Sequence, residues 1–194
     1  LARLVTEEQF KGKVDQHLLV HTLGKLPAAR VFLVGLGRRE DFDMPQLRRF
    51  AAAASLAAGK AGGRRLAVAP LPLDGTALDR AAGFLVEGVT LGQYRFDKYQ
   101  SKESREERSV EELLLVLPAE RIDAGRLAVS RAELIGAGVC LARDLVNEPA
   151  AELTPRALAD AAAALAAAKG LECKILGPKE GEKQRLRLLL AVAR

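Results

Sequence analysis

Tryptophan is missing from this 194-residue chain, and two Tyr with six Phe bring the aromatic share to only 4%. That scarcity argues against a platform on which nucleic-acid bases stack. Cysteine is nearly as rare: Cys140 falls in a helical pattern and Cys173 in a strand pattern, far apart in sequence. No disulfide framework is visible, and the expectation is two buried, reduced thiols in a cytoplasmic protein. A run of about 18 apolar residues is also absent, so no membrane span is expected. Leu1-Ala2-Arg3-Leu4 lacks the charged, apolar, small-residue order of a signal peptide, and the missing initial Met points to a true start further upstream. Charge of one sign is only mildly in excess: a net +5 favours loose attraction to polyanions without demonstrating nucleic-acid binding.

What the chain does have is a 49% hydrophobic share, rich in alanine, beside 28% charged residues. This is the composition of a globular protein, and the length is sufficient to bury a core built of small side chains with Leu and Val between them. Leu18-Leu19-Val20 and Arg30-Val31-Phe32-Leu33-Val34 read as short strands ending near turns. Asp43-Met44-Pro45 reads as a helix cap, followed by Leu47, Phe50, Ala54 and Ala57 at helical spacing until Gly62-Gly63. A strand is expected at Leu66-Ala67-Val68-Ala69, closed by Pro70, and a helix from Thr76 with Leu78, Ala82, Leu85 and Val89 on one face.

The stretch from Lys98 to Glu112 mixes both charge signs and reads as a surface loop, before a fully apolar strand at Leu113-Leu114-Leu115-Val116-Leu117. From Asp123 a third helix carries Leu127, Leu134, Leu141 and Leu145 on one stripe, and stops at Asn147-Glu148-Pro149. Thr154-Pro155 opens another helix that Gly170 closes. A strand over residues 172–176 and an unfinished helix from Leu186 complete the pattern. Alternating strands and helices predict an α/β fold, a mixed sheet flanked by helices. The expected organisation is one domain over residues 1–149, a connecting segment and helix over 150–170, and the opening of a second domain over 171–194.

Chemistry-bearing motifs are incomplete. Gly35-Leu36-Gly37 follows a strand, but Glu40 stands where a dinucleotide fingerprint needs its third glycine, so a strand-end turn is the better reading. His17 and His21 have metal-ligand spacing for a helix, but the pattern there is strand-like, Leu18 occupies the place of the glutamate, and no third ligand is near. Ser55, Ser104, Ser109 and Ser130 lack a nucleophile elbow, and Gly59-Lys60 lacks a phosphate loop. Lys98, Lys102, Arg105 and Arg108 alternate with Glu103, Glu106 and Glu107, as in a solvated loop with local ion pairs. Glu106-Glu107 and Glu111-Glu112 flank that loop without an apolar enclosure to raise a carboxyl pKa. Read from its residues alone, the chain is an α/β domain with no complete catalytic site.

Two stretches go further. Arg143-Asp144-Leu145-Val146-Asn147-Glu148-Pro149 with Glu152-Leu153-Thr154-Pro155, and Tyr94-Arg95-Phe96-Asp97-Lys98-Tyr99 after Glu87-Gly88 and Leu91, resemble signatures of the leucyl (cytosol) aminopeptidase family. Phe10-Lys11-Gly12-Lys13 and residues 31–37 resemble its early strands, so the resemblance runs through essentially the whole chain. It implies a macro-domain-like amino-terminal domain joined to a catalytic domain that removes amino-terminal residues from peptides. It also implies two divalent ions, manganese or zinc, held by carboxylates and a lysine around the attacking water. In the family these lie in motifs such as N-T-D-A-E-G-R-L, a string this chain lacks. The chain is therefore expected to stop short of the metal-holding region, with no catalytic, cofactor-binding or metal-ligating residue of its own. The resemblance further implies hexamer contacts by the amino-terminal domain and, in some bacterial members, DNA binding. A stand-alone macro-like or DNA-binding module is the alternative.

Overall fold

A computed structural model describes residues 2–69, 71, 73, 75–104 and 109–192. By compactness the chain divides into Leu1–Ala142 and Arg143–Arg194.

The first unit opens with a short helix, α1 (Ala2–Glu7), that the sequence pattern does not announce. Strands β1 (His17–His21) and β2 (Arg30–Val34) form an antiparallel pair with Leu19 opposite Phe32. The loop joining them is tied by the Thr22 hydroxyl, which donates to the carbonyl oxygen of Ala28 at 2.7 Å. Helix α2 (Met44–Lys60) begins where expected: the Asp43 carboxylate accepts from the Gln46 N–H at 3.0 Å, and Pro45 fills a first-turn position whose N–H would have no partner.

Next come β3 (Arg65–Val68), α3 (Gly75–Gly92) and β4 (Glu112–Leu115). β3 and β4 pair in parallel, with Leu66 opposite Leu113. Parallel partners need a long crossover, and the chain between them supplies it with α3. Val116 and Leu117, expected to continue the strand, lie beyond the end of β4. The α/β class thus holds with strands of both senses, arranged among the described residues as two separate pairs. The core gathers Leu47 and Ala51 from α2, Val68 from β3, and Ala81, Leu85 and Val89 from α3, with Phe42, Phe50, Leu66 and Leu113 packed against it. Each such leucine, fully buried, contributes roughly 1.5–3 kcal/mol relative to exposure.

Small residues let α2 and α3 approach closely. A Cβ added at Gly88 would run into the carbonyl oxygen of Arg48 and lie 2.7 Å from the Ala51 Cβ; one at Gly92 would lie 2.7 Å from the Ala52 Cβ.

In helix α4 (Ile122–Asn147) the leucine stripe is not the buried side. Its buried residues are Gly125, Ala132 and Gly136, whereas of the stripe Leu127, Leu134 and Leu141 are exposed and Leu145 is half-buried. The two inward glycines meet close neighbours: a Cβ at Gly136 would lie 2.9 Å from Thr90 Cγ2, and one at Gly125 would run into Leu117.

The second unit holds the end of α4 and then α5 (Pro155–Lys169). The Thr154 hydroxyl caps α5 by accepting from the Ala157 N–H at 3.2 Å, and Gly170 closes it in the left-handed region at φ 65°. Residues 172–176 do not form the expected strand, because a lone extended segment has no neighbour to take up its backbone hydrogen bonds. Two short helices follow, α6 (Pro178–Lys183) and α7 (Arg187–Val192). The thiols also differ from expectation: Cys140 is half-buried and Cys173, on the strandless segment, is exposed; both are free. Among the described residues no helix is long and apolar enough to cross a membrane.

Candidate functional site

The two histidines stand at the ends of β1, both exposed. The His17 ring lies 5.9 Å from that of Phe32, and its Nδ1 is 3.3 Å from the Asp15 carbonyl oxygen. On a strand, positions 17 and 21 share a face but are two pleats apart, too far to hold one ion. His17 lines a cavity of about 280 Å³ with Asp15, Leu36, Gln46 and Arg49. The Gln46 amide oxygen there is buried without a hydrogen-bond partner. Gly35 and Gly37 serve the turn after β2: a side chain at Gly35 would run into the carbonyl oxygen of Lys13, and Gly37 takes φ 81°. That is a close backbone crossing and not a phosphate loop.

A larger cleft of about 930 Å³ lies between α3, β4 and α4. Val86, Val89, Leu113, Leu115 and Val129 give it apolar walls, and Gln93, Glu111, Glu112, Arg126, Ser130 and Glu133 stand among them. Three of these polar groups hold the structure together. The Gln93 amide oxygen accepts from the Val110 N–H at 2.5 Å. Glu111 pairs with Arg64 at 2.7 Å and Glu112 with Arg65 at 2.5 Å, tying β4 to the entry of β3.

The same pairing recurs elsewhere and escapes sequence reasoning, which sees helical neighbours but not partners 40 residues away. Arg48 on α2 donates to Glu87 on α3 at 2.8 Å and lies over the Phe84 ring, 5.0 Å from its centroid. Arg121 forks onto Asp79. These charges are thus matched, acid to guanidinium, across elements.

Of the serines, Ser55 is buried and donates to the Ala52 carbonyl at 2.9 Å, Ser104 donates to that of Ser101 at 3.0 Å, and Ser109 and Ser130 are exposed. Arg105, Glu106, Glu107 and Arg108 lie outside the described residues. Glu103 beside them is fully exposed, its carboxyl held below the ordinary value by a backbone hydrogen bond and then by Ser101. Phe96 and Tyr99 set their rings 6.0 Å apart, with the Lys98 ammonium 5.2 Å from the Tyr99 centroid.

No group of three His, Cys, Asp or Glu among the described residues stands close enough to hold a metal ion. Glu87, Glu111, Glu112 and Asp79, each engaged with an arginine, do not fit a two-ion centre, and no metal-dependent step is assigned to them.

Comparison with known families accounts for both ends of the chain. The amino-terminal domain of the cytosol aminopeptidase family matches residues 1–103, and its catalytic domain matches residues 140–194. The chain belongs to the cytosol aminopeptidase family. Two relatives, both named probable cytosol aminopeptidase, match nearly all of it or all of it. The one from Roseiflexus castenholzii is 38% identical over 97% of this chain, and the one from a Geobacter species 39% identical over 100%. The chain spans 39% of the length of each. Among solved structures, the bottromycin maturation enzyme BotP in complex with Mn superposes with a TM-score of 0.71 at 30% identity, over 89% of this chain and 34% of that one. A variant of tomato leucine aminopeptidase superposes with a TM-score of 0.72 at 28% identity, over 86% and 32%. The α/β fold with small sheets flanked by helices is therefore that of the aminopeptidase amino-terminal region.

Proposed function

We propose that residues 1–194 are the amino-terminal, non-catalytic region of a cytoplasmic leucyl aminopeptidase, an enzyme that removes amino-terminal residues from peptides with two divalent metal ions, manganese or zinc. Residues 1–149 form its amino-terminal domain, 150–170 the connecting segment and helix, and 171–194 the opening of the catalytic domain. The observation that carries the reading is the order of the two family matches, amino-terminal domain over 1–103 and catalytic domain from 140, within one chain. The arginine-matched carboxylates support a scaffolding role for this region, since a binuclear centre needs acids free to face the ions. In the assembled enzyme the region contributes to hexamer contacts.

The test is a paired measurement. The 194-residue chain is expected neither to hydrolyse leucine anilides nor to take up manganese in calorimetry, while the full-length polypeptide does both. Stoichiometric, micromolar manganese binding by the 194 residues alone overturns the reading.

A further inference from the structure

The smaller cavity, about 280 Å³ and wholly within the first unit, is walled by α2 on one side and by β1 and β2 on the other. Gln46, Arg49, Phe50 and Ala53 recur at i, i+3, i+4 and i+7, so one side of α2 supplies all four. His17 and Val34, opposite each other in β1 and β2, face them, with Asp15 ahead of β1 and Leu36 after β2. Arg48, Arg64 and Arg121 each meet a carboxylate distant in sequence. Arg49 and Asp15 border one cavity, yet neither has an ion-pair partner among the described residues. Both are exposed and so within reach of a molecule entering from solvent. Two opposite charges thus stand unmatched around a space that Val34, Leu36 and Phe50 make apolar.

Gln46 narrows the choice of ligand. Its Nε2 donates to the Asp41 carbonyl oxygen at 3.3 Å, and its Oε1 is buried with no donor. Such an orphan acceptor is uncommon, because nothing compensates its loss of water. The last torsion of a glutamine is a broad well, so a donor in the cavity can draw the oxygen round in exchange for one long hydrogen bond. The cavity therefore suits a donor beside Asp15 and Gln46, an acceptor beside Arg49 and an apolar group beside Phe50. Inorganic phosphate satisfies Arg49 and sets its charge against Asp15; a divalent cation satisfies Asp15 and is repelled by Arg49. We propose that the cavity binds a free α-amino acid with an aliphatic side chain, its ammonium on Asp15 and Gln46 and its carboxylate on the Arg49 guanidinium. The size agrees, since drug-sized ligands occupy roughly 300–1,000 Å³ and an amino acid is smaller. Resting on the function proposed above, this ligand belongs to the class of product that the enzyme releases.

Calorimetry with L-leucine tests this in the 194-residue chain and again in the full-length polypeptide. The 194-residue chain is expected to bind leucine saturably, with a Kd of about 1 mM or tighter. Leucinamide, which lacks the carboxylate, and isocaproate, which lacks the ammonium, are each expected to bind about tenfold more weakly. Arg49→Gln is expected to weaken leucine about tenfold and to leave leucinamide unchanged. Asp15→Asn is expected to weaken leucine similarly and to leave isocaproate unchanged. In the full-length polypeptide, Arg49→Gln is expected to remove one of the leucine sites of the parent. Absence of leucine binding by the 194-residue chain, shown folded by a cooperative thermal transition, overturns the proposal. So does an equal number of leucines bound by the parent and Arg49→Gln full-length polypeptides, and so does inorganic phosphate displacing leucine in an Arg49-dependent way, which would make the cavity an anion site. Leucine-anilide hydrolysis by the unmodified full-length polypeptide checks the functional reading separately.

Discussion

Helices α3 and α4 are written with the same few residues, Leu, Val, Ala and Gly, yet they bury opposite things. α3 turns Leu78, Leu85 and Val89 inward together with Ala81, Ala82 and Gly88, while α4 turns only Gly125, Ala132 and Gly136 inward. The difference lies in what each helix meets. α3 is a crossover between parallel strands, covered by α2, so its apolar stripe finds a core. α4 seats only glycine and alanine on the first unit, close against Leu117 and Thr90, and Leu127, Leu134 and Leu141 stay outside. A stripe at helical spacing therefore reports that a helix has an apolar partner, not which side of the present fold that partner occupies.

The largest test of this contrast sets matched truncations side by side. Leu85→Ala removes a 3% exposed core side chain and is expected to cost about 2–5 kcal/mol in urea unfolding of the 194-residue chain. Leu134→Ala in the same chain is expected to cost less than about 0.5 kcal/mol. Equal costs would mean that α4 buries its leucines in solution and would erase the distinction.

A smaller effect of opposite logic comes from Gly88→Ala. Alanine is the better helix former, by roughly 1 kcal/mol, so propensity alone forecasts a gain. Packing forecasts a loss, because the new methyl would run into the Arg48 carbonyl and crowd Ala51 at 2.7 Å, backbone on one side and core on the other. The expected net is a loss of about 1–3 kcal/mol by denaturant unfolding, as for overpacked cores. A gain would show that α2 and α3 can slide apart at little cost.

Local chemistry made part of this legible in advance. Asp43 with Pro45, and Thr154 with Pro155 and Gly170, announce helix ends because capping is decided within four residues. The strands of β1 to β4 are readable from apolar runs. Residues 172–176 carry an equally good strand pattern and form none, because pairing depends on a neighbour that local pattern does not reveal. The arginine–carboxylate matches, Arg48 with Glu87 and Arg64 with Glu111, join elements 39 and 47 residues apart and leave no mark at short range. The motif strings around Tyr94 and Asn147 carry the family assignment, whereas composition, spacing and charge reach only an α/β domain without a site.

The smallest effect sharpens the contrast from the other helix. Gly138 lies on the outer side of α4 with open space where its Cβ would be, and its φ is not in the left-handed region. Nothing in the 194-residue chain needs a glycine there, so Gly138→Ala is expected to stabilise it by about 0.5–1 kcal/mol, the ordinary gain for replacing a mid-helix glycine. The sign is the informative part: Gly88→Ala and Gly138→Ala make the same chemical change in two helices and should move the unfolding midpoint in opposite directions. A loss of stability on Gly138→Ala would show that the outer side of α4 is packed in solution and would erase the contrast between the two helices.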